Sequence, residues 1–396
     1  IENIEPASGL RISIGRIEGN IFDDAVIHDL TLADPQGVFF TLPRAEIDWR
    51  PFAFANNTLD IRSLEAQRGE LRRLPELNPG DPDSPTLPGF DIRIDRLNLE
   101  DFVLAPGIAG DERRVVNLVG STDIRDGRAK VKANGRFGEG DRLVLDLVAE
   151  PDGDVFDADL RIDAPAGGVL TSFANLDGDY VARLDGDGTW SEWAGDLAVN
   201  RNGESLARFK LSLEDGTYGI NGQADTSPFL TGIPQRALGP DTRIEAAGTF
   251  ADRVVDGRFE LLGQGISLIA EGAADLADNE ADNVEFAATL RDPQLFGDSF
   301  RFEGAEATGT IDGSFRDLSI PFRLVANRFS AGTTSITDIA QEGTATYDGS
   351  RWVIPLDATI GRIATGNDLA DPRLVNGTVD GRLVFTGREL VSDALR

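Results

Sequence analysis

The sequence predicts an all-β chain: an elongated, curled, antiparallel and meandering sheet with very little helix. Three observations lead there. Asp-Gly occurs ten times and Asn-Gly four times, all after residue 125, and both dipeptides suit two-residue hairpin turns whose central residues need positive φ. Many of them are flanked by short stretches that alternate apolar and polar residues, the period that puts every second side chain on one face of a sheet. Gly is abundant, at 44 of 396 residues, as expected of a chain that turns and bends often.

The elements follow in order. Leu10, Ile12 and Ile14 fall at every second position. After a turn near Gly19 the pattern resumes in Ile27, Leu30 and Leu32 with one slip. Phe40 and Leu42 lead through Pro43 to Ala45, Ile47 and Trp49, and Pro51 caps that strand because proline cannot donate to a continuing ladder. Leu59 and Ile61, then Leu64 one place out of phase, complete an N-terminal β unit of four or five strands over residues 1–74.

From Pro75 to Pro88 five prolines are spread through a polar stretch that neither helix nor central strand tolerates, which marks 75–88 as a linker. Residues 89–396 then read as one continuous strand-rich segment. It opens with Ile92, Ile94, Leu97 and Leu99, continues through 115–118, and settles into triplets such as Ala129, Val131, Ala133 and Leu143, Leu145, Leu147. Val155, Ala158, Leu160 and Ile162 follow, and further strands are expected around 244–250, 258–262, 266–270, 284–290, 300–302, 322–325, 344–347, 352–356 and 383–385.

Two stretches break the rhythm. Residues 163–176 lack alternation and suit a short helix or an irregular cap. Ser227-Pro228 resembles a helix start, with Ser as N-cap and Pro in the first position, and Pro234 is expected to limit that helix to a turn or two. Turn spacing is uneven, so a fixed-period solenoid is excluded. Strands of about five to seven residues give on the order of 25 to 30 of them, and at ~4.8 Å each a single sheet would run roughly 120 to 140 Å. Its apolar face must curl on itself, pack on a second sheet, or carry an apolar ligand.

Composition narrows function. The 38 Lys and Arg stand against 68 Asp and Glu, a net charge of −30, which repels phosphate backbones and anionic bilayers and argues against nucleic-acid binding. Acidity also keeps exposed sheet edges from pairing with one another. No stretch approaches the roughly 18 apolar residues of a membrane-spanning helix. The chain starts at Ile1 and has neither Met nor Cys, so an internal fragment without disulfides is expected.

Nothing in the sequence assembles a catalytic set, and the chain is expected not to be an enzyme. The one His, His28, has no Ser or Cys partner in a motif and reads as a surface or turn residue. Asp177-Gly178-Asp179 and Asp185-Gly186-Asp187-Gly188 resemble calcium loops but lack the remaining ligands and the closing Glu, so turn chemistry is the reading and no metal or cofactor is expected. Trp190 and Trp193 are too close in sequence for a simple same-face pair.

The stretch IGRIEGNIFDDAVIHDLTLADPQGVFFTLPRAEIDWRP at 14–51 resembles the N-terminal periplasmic portion of the TamB family, AsmA-like proteins similar to bridge-like lipid transfer proteins. The turn 34–37 and the Asp-Trp-x-Pro at 48–51 carry the likeness. RRLPEL at 72–77, LPGFDIRIDRLNLED at 87–101, DAPAGG at 163–168 and DGDGTWSEWAGDLAV at 185–199 extend it. The resemblance implies a bacterial periplasmic β-groove behind an inner-membrane anchor that would precede residue 1. It also implies carriage of phospholipid between inner and outer membranes, and a partnership with an Omp85-type outer-membrane barrel through a region outside this chain. No catalytic residues come with it.

Alternation and resemblance converge on a β-taco groove lined by Ile12, Ile14, Leu30, Leu32, Ile47, Trp49, Ile92, Ile94, Leu143, Leu145, Leu147, Leu160 and Ile162. The alternative is a scaffold or chaperone for outer-membrane protein assembly, offering sheet edges by strand addition. A sealed sandwich with a structural role is the third reading.

Overall fold

The computed structural model describes residues 9–20, 24–76, 91–125, 128–150, 154–251, 253–386 and 390–393. Those residues are overwhelmingly strand, so the all-β class with little helix holds. The chain divides into two compact units, 1–206 and 207–396.

Unit 1 contains β1 (Arg11–Gly19), β2 (Asp24–Asp34), β3 (Gly37–Trp49), β4 (Thr58–Gln67), β5 (Glu70–Leu71), β6 (Asp91–Leu104), β7 (Arg114–Arg125), β8 (Arg128–Phe137), β9 (Asp141–Glu150), β10 (Val155–Ala164), the helix α1 (Val169–Phe173), β11 (Tyr180–Gly188) and β12 (Glu192–Arg201). β13 (Glu204–Glu214) spans the boundary. Unit 2 continues with β14 (Thr217–Ala224), the helix α2 (Ile233–Leu238), β15 (Thr242–Ala251), β16 (Val254–Leu262), β17 (Ile266–Asp275), β18 (Glu280–Leu290), β19 (Phe300–Glu303), β20 (Glu306–Ser314), β21 (Asp317–Ala331), β22 (Thr334–Tyr347), β23 (Trp352–Ala364), β24 (Val375–Phe385) and β25 (Leu390–Asp393).

Most neighbours pair antiparallel in chain order, as hairpins require. In unit 2 the order is broken where β18 pairs with β20 and β19 with β21, and in unit 1 it is broken at the expected linker. β4 and β6 run parallel, from Thr58 opposite Asp91 to Gln67 opposite Glu100. The 1–74 unit therefore shares a ladder with strands beyond 89. Most of the 75–88 linker lies outside the described residues.

The slip between Ile27 and Leu30 has a cause. Asp29 takes φ 54°, a left-handed residue in mid-strand that leaves the register to both neighbours unshifted, and the turned backbone there resets which face the next side chain meets. Asp101 in β6 is likewise left-handed at φ 54°, as is Arg68 between β4 and β5 at φ 58°. These positions are aligned. His28 and Leu30 pair with Arg44 and Leu42 around Pro43, Arg44 pairs with Gln67, and Gln67 pairs with Glu100. A crease thus crosses β2, β3, β4 and β6, and the buried cluster of Leu42, Ala45 and Ala66 sits in it with Ile27, Leu30, Phe40, Leu64, Leu99 and Phe102 around it.

Unit 2 has a matching line. Asp338 (φ 56°) in β22 and Asn376 (φ 54°) in β24 flank Gly361 of β23, where a Cβ would stand 2.7 Å from the Asp338 carboxylate.

Two groups stand out among the described Asx-Gly dipeptides. Asn202-Gly203 and Asp215-Gly216 are the expected hairpin turns, with both central residues at positive φ. Asn134-Gly135, Asp185-Gly186, Asn221-Gly222, Asp256-Gly257, Asp312-Gly313 and Asp380-Gly381 lie inside strands, which corrects the turn reading for 185–188. There the missing Cβ makes room for a neighbour: the Phe137 ring lies against Gly135 and the Trp193 ring against Gly186 and Gly195.

Of the two breaks in rhythm, 163–176 does hold a short helix, α1. The second helix starts later than expected. Ser227 lies in a turn, and Pro234 opens α2 rather than closing it, because the first turn of a helix has no use for the N–H that proline lacks.

Candidate functional site

In unit 1 the pairing registers string apolar residues into rows across the sheet. One row reads Ile17, Ile27, Ala45, Ala66, Leu99, Leu118, Gly135, Leu143, Ile162, Ala182 and Val199, from β1 to β12. The next reads Ala25, Ile47, Leu64, Leu97, Gly120, Ala133, Leu145, Leu160, Leu184 and Leu197. A third carries Trp49, Ile61, Ile94, Thr122, Val131, Leu147 and Ala158.

The structure brings all thirteen residues expected to line a groove to one face. Ile47, Trp49, Ile94, Leu143, Leu145, Leu147, Leu160 and Ile162 stand in these rows, and Ile92 follows beside Leu59 and Ile124. Ile12 and Ile14 pair with Leu32 and Leu30 beyond the crease. None of the thirteen is fully buried. Ile12 is 54% exposed and the other twelve are half-buried.

The opposite face is charged. Lys132 Nζ meets Asp146 Oδ2 at 2.6 Å, and Arg161 meets Asp163 at 3.0 Å. Pairs two residues apart along one strand recur, as in Arg44 with Glu46, Arg93 with Asp95 and Arg125 with Asp123. The Arg125 hydrogen bonds hold the Asp123 carboxyl below its ordinary range, and Arg161 does the same for Asp163. The signal Arg-x-acid within an alternating strand was readable, and the sequence reading missed it.

Unit 2 repeats the separation. Leu211, Ile220, Ala246, Phe259, Ala270, Phe286, Gly309, Phe322 and Gly343 form one row. Large and small residues alternate along its second half, and a Cβ on Gly309 would stand 2.8 Å from the Phe286 ring. Beside the row, Gly248, Gly257 and Gly272 floor a hollow of about 520 Å³ walled by Tyr218, Ile220, Phe250, Val255, Phe259 and Val284. On the other face Arg258 pairs with Glu260 at 2.6 Å and Glu271 at 3.1 Å.

No known protein family, curated protein or solved structure matches the chain.

His28 lies within β2, half-buried, with Nε2 3.2 Å from Glu18 Oε2. It is a strand residue paired with an acid, so the turn half of the surface-or-turn reading is corrected. That hydrogen bond, with Arg16 beside it, lowers the Glu18 carboxyl. Trp190 and Trp193 do act together. Both pack on Phe156, at centroid distances of 5.0 and 5.3 Å, because the hairpin between β11 and β12 brings Trp190 back over β10. Among the described residues no group of His, Cys, Asp or Glu is placed to hold a metal ion.

Proposed function

We propose that the apolar faces act as grooves that shield phospholipid acyl chains while headgroups stay in water, for transfer between membranes. The observation that carries this is the half-exposed state of row after row of Leu, Ile and Phe. A sealed sandwich would bury those side chains completely, since each fully buried one contributes about 1.5–3 kcal/mol. Here about half of the fully buried apolar residues are Ala, and the larger ones, among them Leu42, Ile61, Trp193, Leu213 and Ile360, are scattered along the chain.

Transfer on such a face needs no bond-breaking chemistry. Burial of a methylene is worth about 0.8 kcal/mol, so a long chain is held firmly in total yet slides between equivalent rows. The likeness of the N-terminal half to the TamB family supports the same reading, and with it a periplasmic setting, an inner-membrane anchor and an Omp85-type barrel partner.

The test is mass spectrometry of organic extracts from the purified protein, beside an envelope protein of similar acidity. Enriched phospholipid at near-stoichiometric amounts is expected. Leu145→Asp and Ile94→Asp place a carboxylate in the rows and should lower bound lipid several-fold, with thermal melts showing that the variants fold. If several such variants keep wild-type lipid, the groove assignment is wrong. An empty protein that instead binds strand peptides of outer-membrane barrels would establish the assembly scaffold in its place.

A further inference from the structure

Trp193 stands apart on the groove face of unit 1. Alternation along β12 puts it on the same side as Gly195, Leu197 and Val199, and Leu197 continues the row of Leu145, Leu160 and Leu184. Its ring lies flat over two strands. A methyl on Gly186 would collide with it, and one on Gly195 would stand 2.5 Å from Cη2. The indole edge that carries Nε1 lies over Gly186, on the side of β10.

The side chain is only 8% exposed, and Nε1 is buried with no hydrogen-bond acceptor among the described residues. A buried indole N–H ordinarily finds a partner. Leaving one unpaired costs about 1–3 kcal/mol, and an orphan of this kind calls for an explanation.

Position supplies one. Trp193 is the second residue of β12, so it stands where the apolar rows end and the hairpin 189–191 begins. Trp190, at that tip, is 36% exposed, stacks on Phe156, and donates its backbone N–H to Asp154 Oδ1 at 3.0 Å. A bound diacyl lipid has the same order of parts: apolar chain, then ester carbonyl, then hydrated headgroup. We propose that Trp193 Nε1 is a recognition donor for the ester carbonyl of a glycerolipid whose acyl chain lies on the rows. This rests on the groove reading and adds chemical selectivity to it. A site built to hydrogen-bond a group discriminates against the analogue that lacks it.

The experiment loads the purified chain with 1,2-diacyl phosphatidylethanolamine or its 1,2-dialkyl ether analogue, which keeps chains and headgroup but has no carbonyl. Competition is read by mass spectrometry. The wild type should prefer the ester lipid by roughly five- to tenfold, in line with one net hydrogen bond. Trp193→Phe, which keeps a ring over the glycines, should load both equally. The bound ester C=O stretch in the wild type should also move to lower wavenumber than in hydrocarbon, a reading that needs no variant. Equal loading of both lipids by the wild type, an unshifted stretch, or a preference that survives in Trp193→Phe overturns the inference and leaves the groove standing. Failure to load either lipid overturns the groove reading itself.

Discussion

Asp34 is fully buried at the turn between β2 and β3, where its carboxylate takes both Arg73 Nη atoms, at 2.6 and 2.5 Å, and the backbone N–H groups of Gln36 and Glu76. The Arg73 hydrogen bonds, aided by those two N–H groups, hold the carboxyl well below its usual range. The linkage has a definite sign. A depressed native pKa adds stability in full above the unfolded value near 4, and that stability drains away as pH falls toward the native value. Asp34→Asn should therefore be less stable than wild type in urea at pH 7, and the gap should narrow at pH 3. A gap that is constant with pH would mean that the charge contributes nothing. Little of this was readable, because Asp34 and Arg73 are 39 residues apart and Asp-Pro-x-Gly announces only a turn.

At the scale of elements, the left-handed strand residues explain what alternation could and could not reveal. Period-two patterning placed all thirteen candidate residues on one face, since each triplet carries its own phase. The slip at 27–30 was visible but had no cause until Asp29 proved left-handed. A left-handed residue with a Cβ costs about 1–2 kcal/mol, which Asp and Asn lower through local hydrogen bonds. Asp338→Val should accordingly destabilise unit 2 by about 1–2 kcal/mol or more in denaturant titration, while Asp338→Asn should be nearly neutral. A tolerated Val would argue that the crease is an accident of packing. The helix α1 was legible as a break in rhythm, but its cap was not: Asp141, at the start of β9, accepts the N–H groups of Val169 and Leu170 at 2.9 Å each. That partnership is made in space, 28 residues away from the helix it serves.

For the whole molecule, composition was a reliable guide to the outer face. The net charge is −30, and ion pairs such as Lys132 with Asp146 and Arg258 with Glu260 lie on faces turned away from the rows, so the protein should not co-sediment with anionic vesicles even at low ionic strength, where attraction or repulsion is least screened. Binding that strengthens as salt is removed would contradict this. The parallel pairing of β4 with β6 was not legible, because a proline-rich stretch carries no record of which strands it joins.

That pairing also sets an order of events during synthesis. Antiparallel hairpins can close as soon as their second strand emerges, within microseconds. β4 must wait for the whole proline-rich segment and β6 behind it, and closing that loop is an entropic cost met before any ladder bond forms. Until then the β4 edge stands open beside the finished ladder of β1, β2 and β3, so the nascent chain is most exposed to mispairing at the junction between its first strands and all the rest.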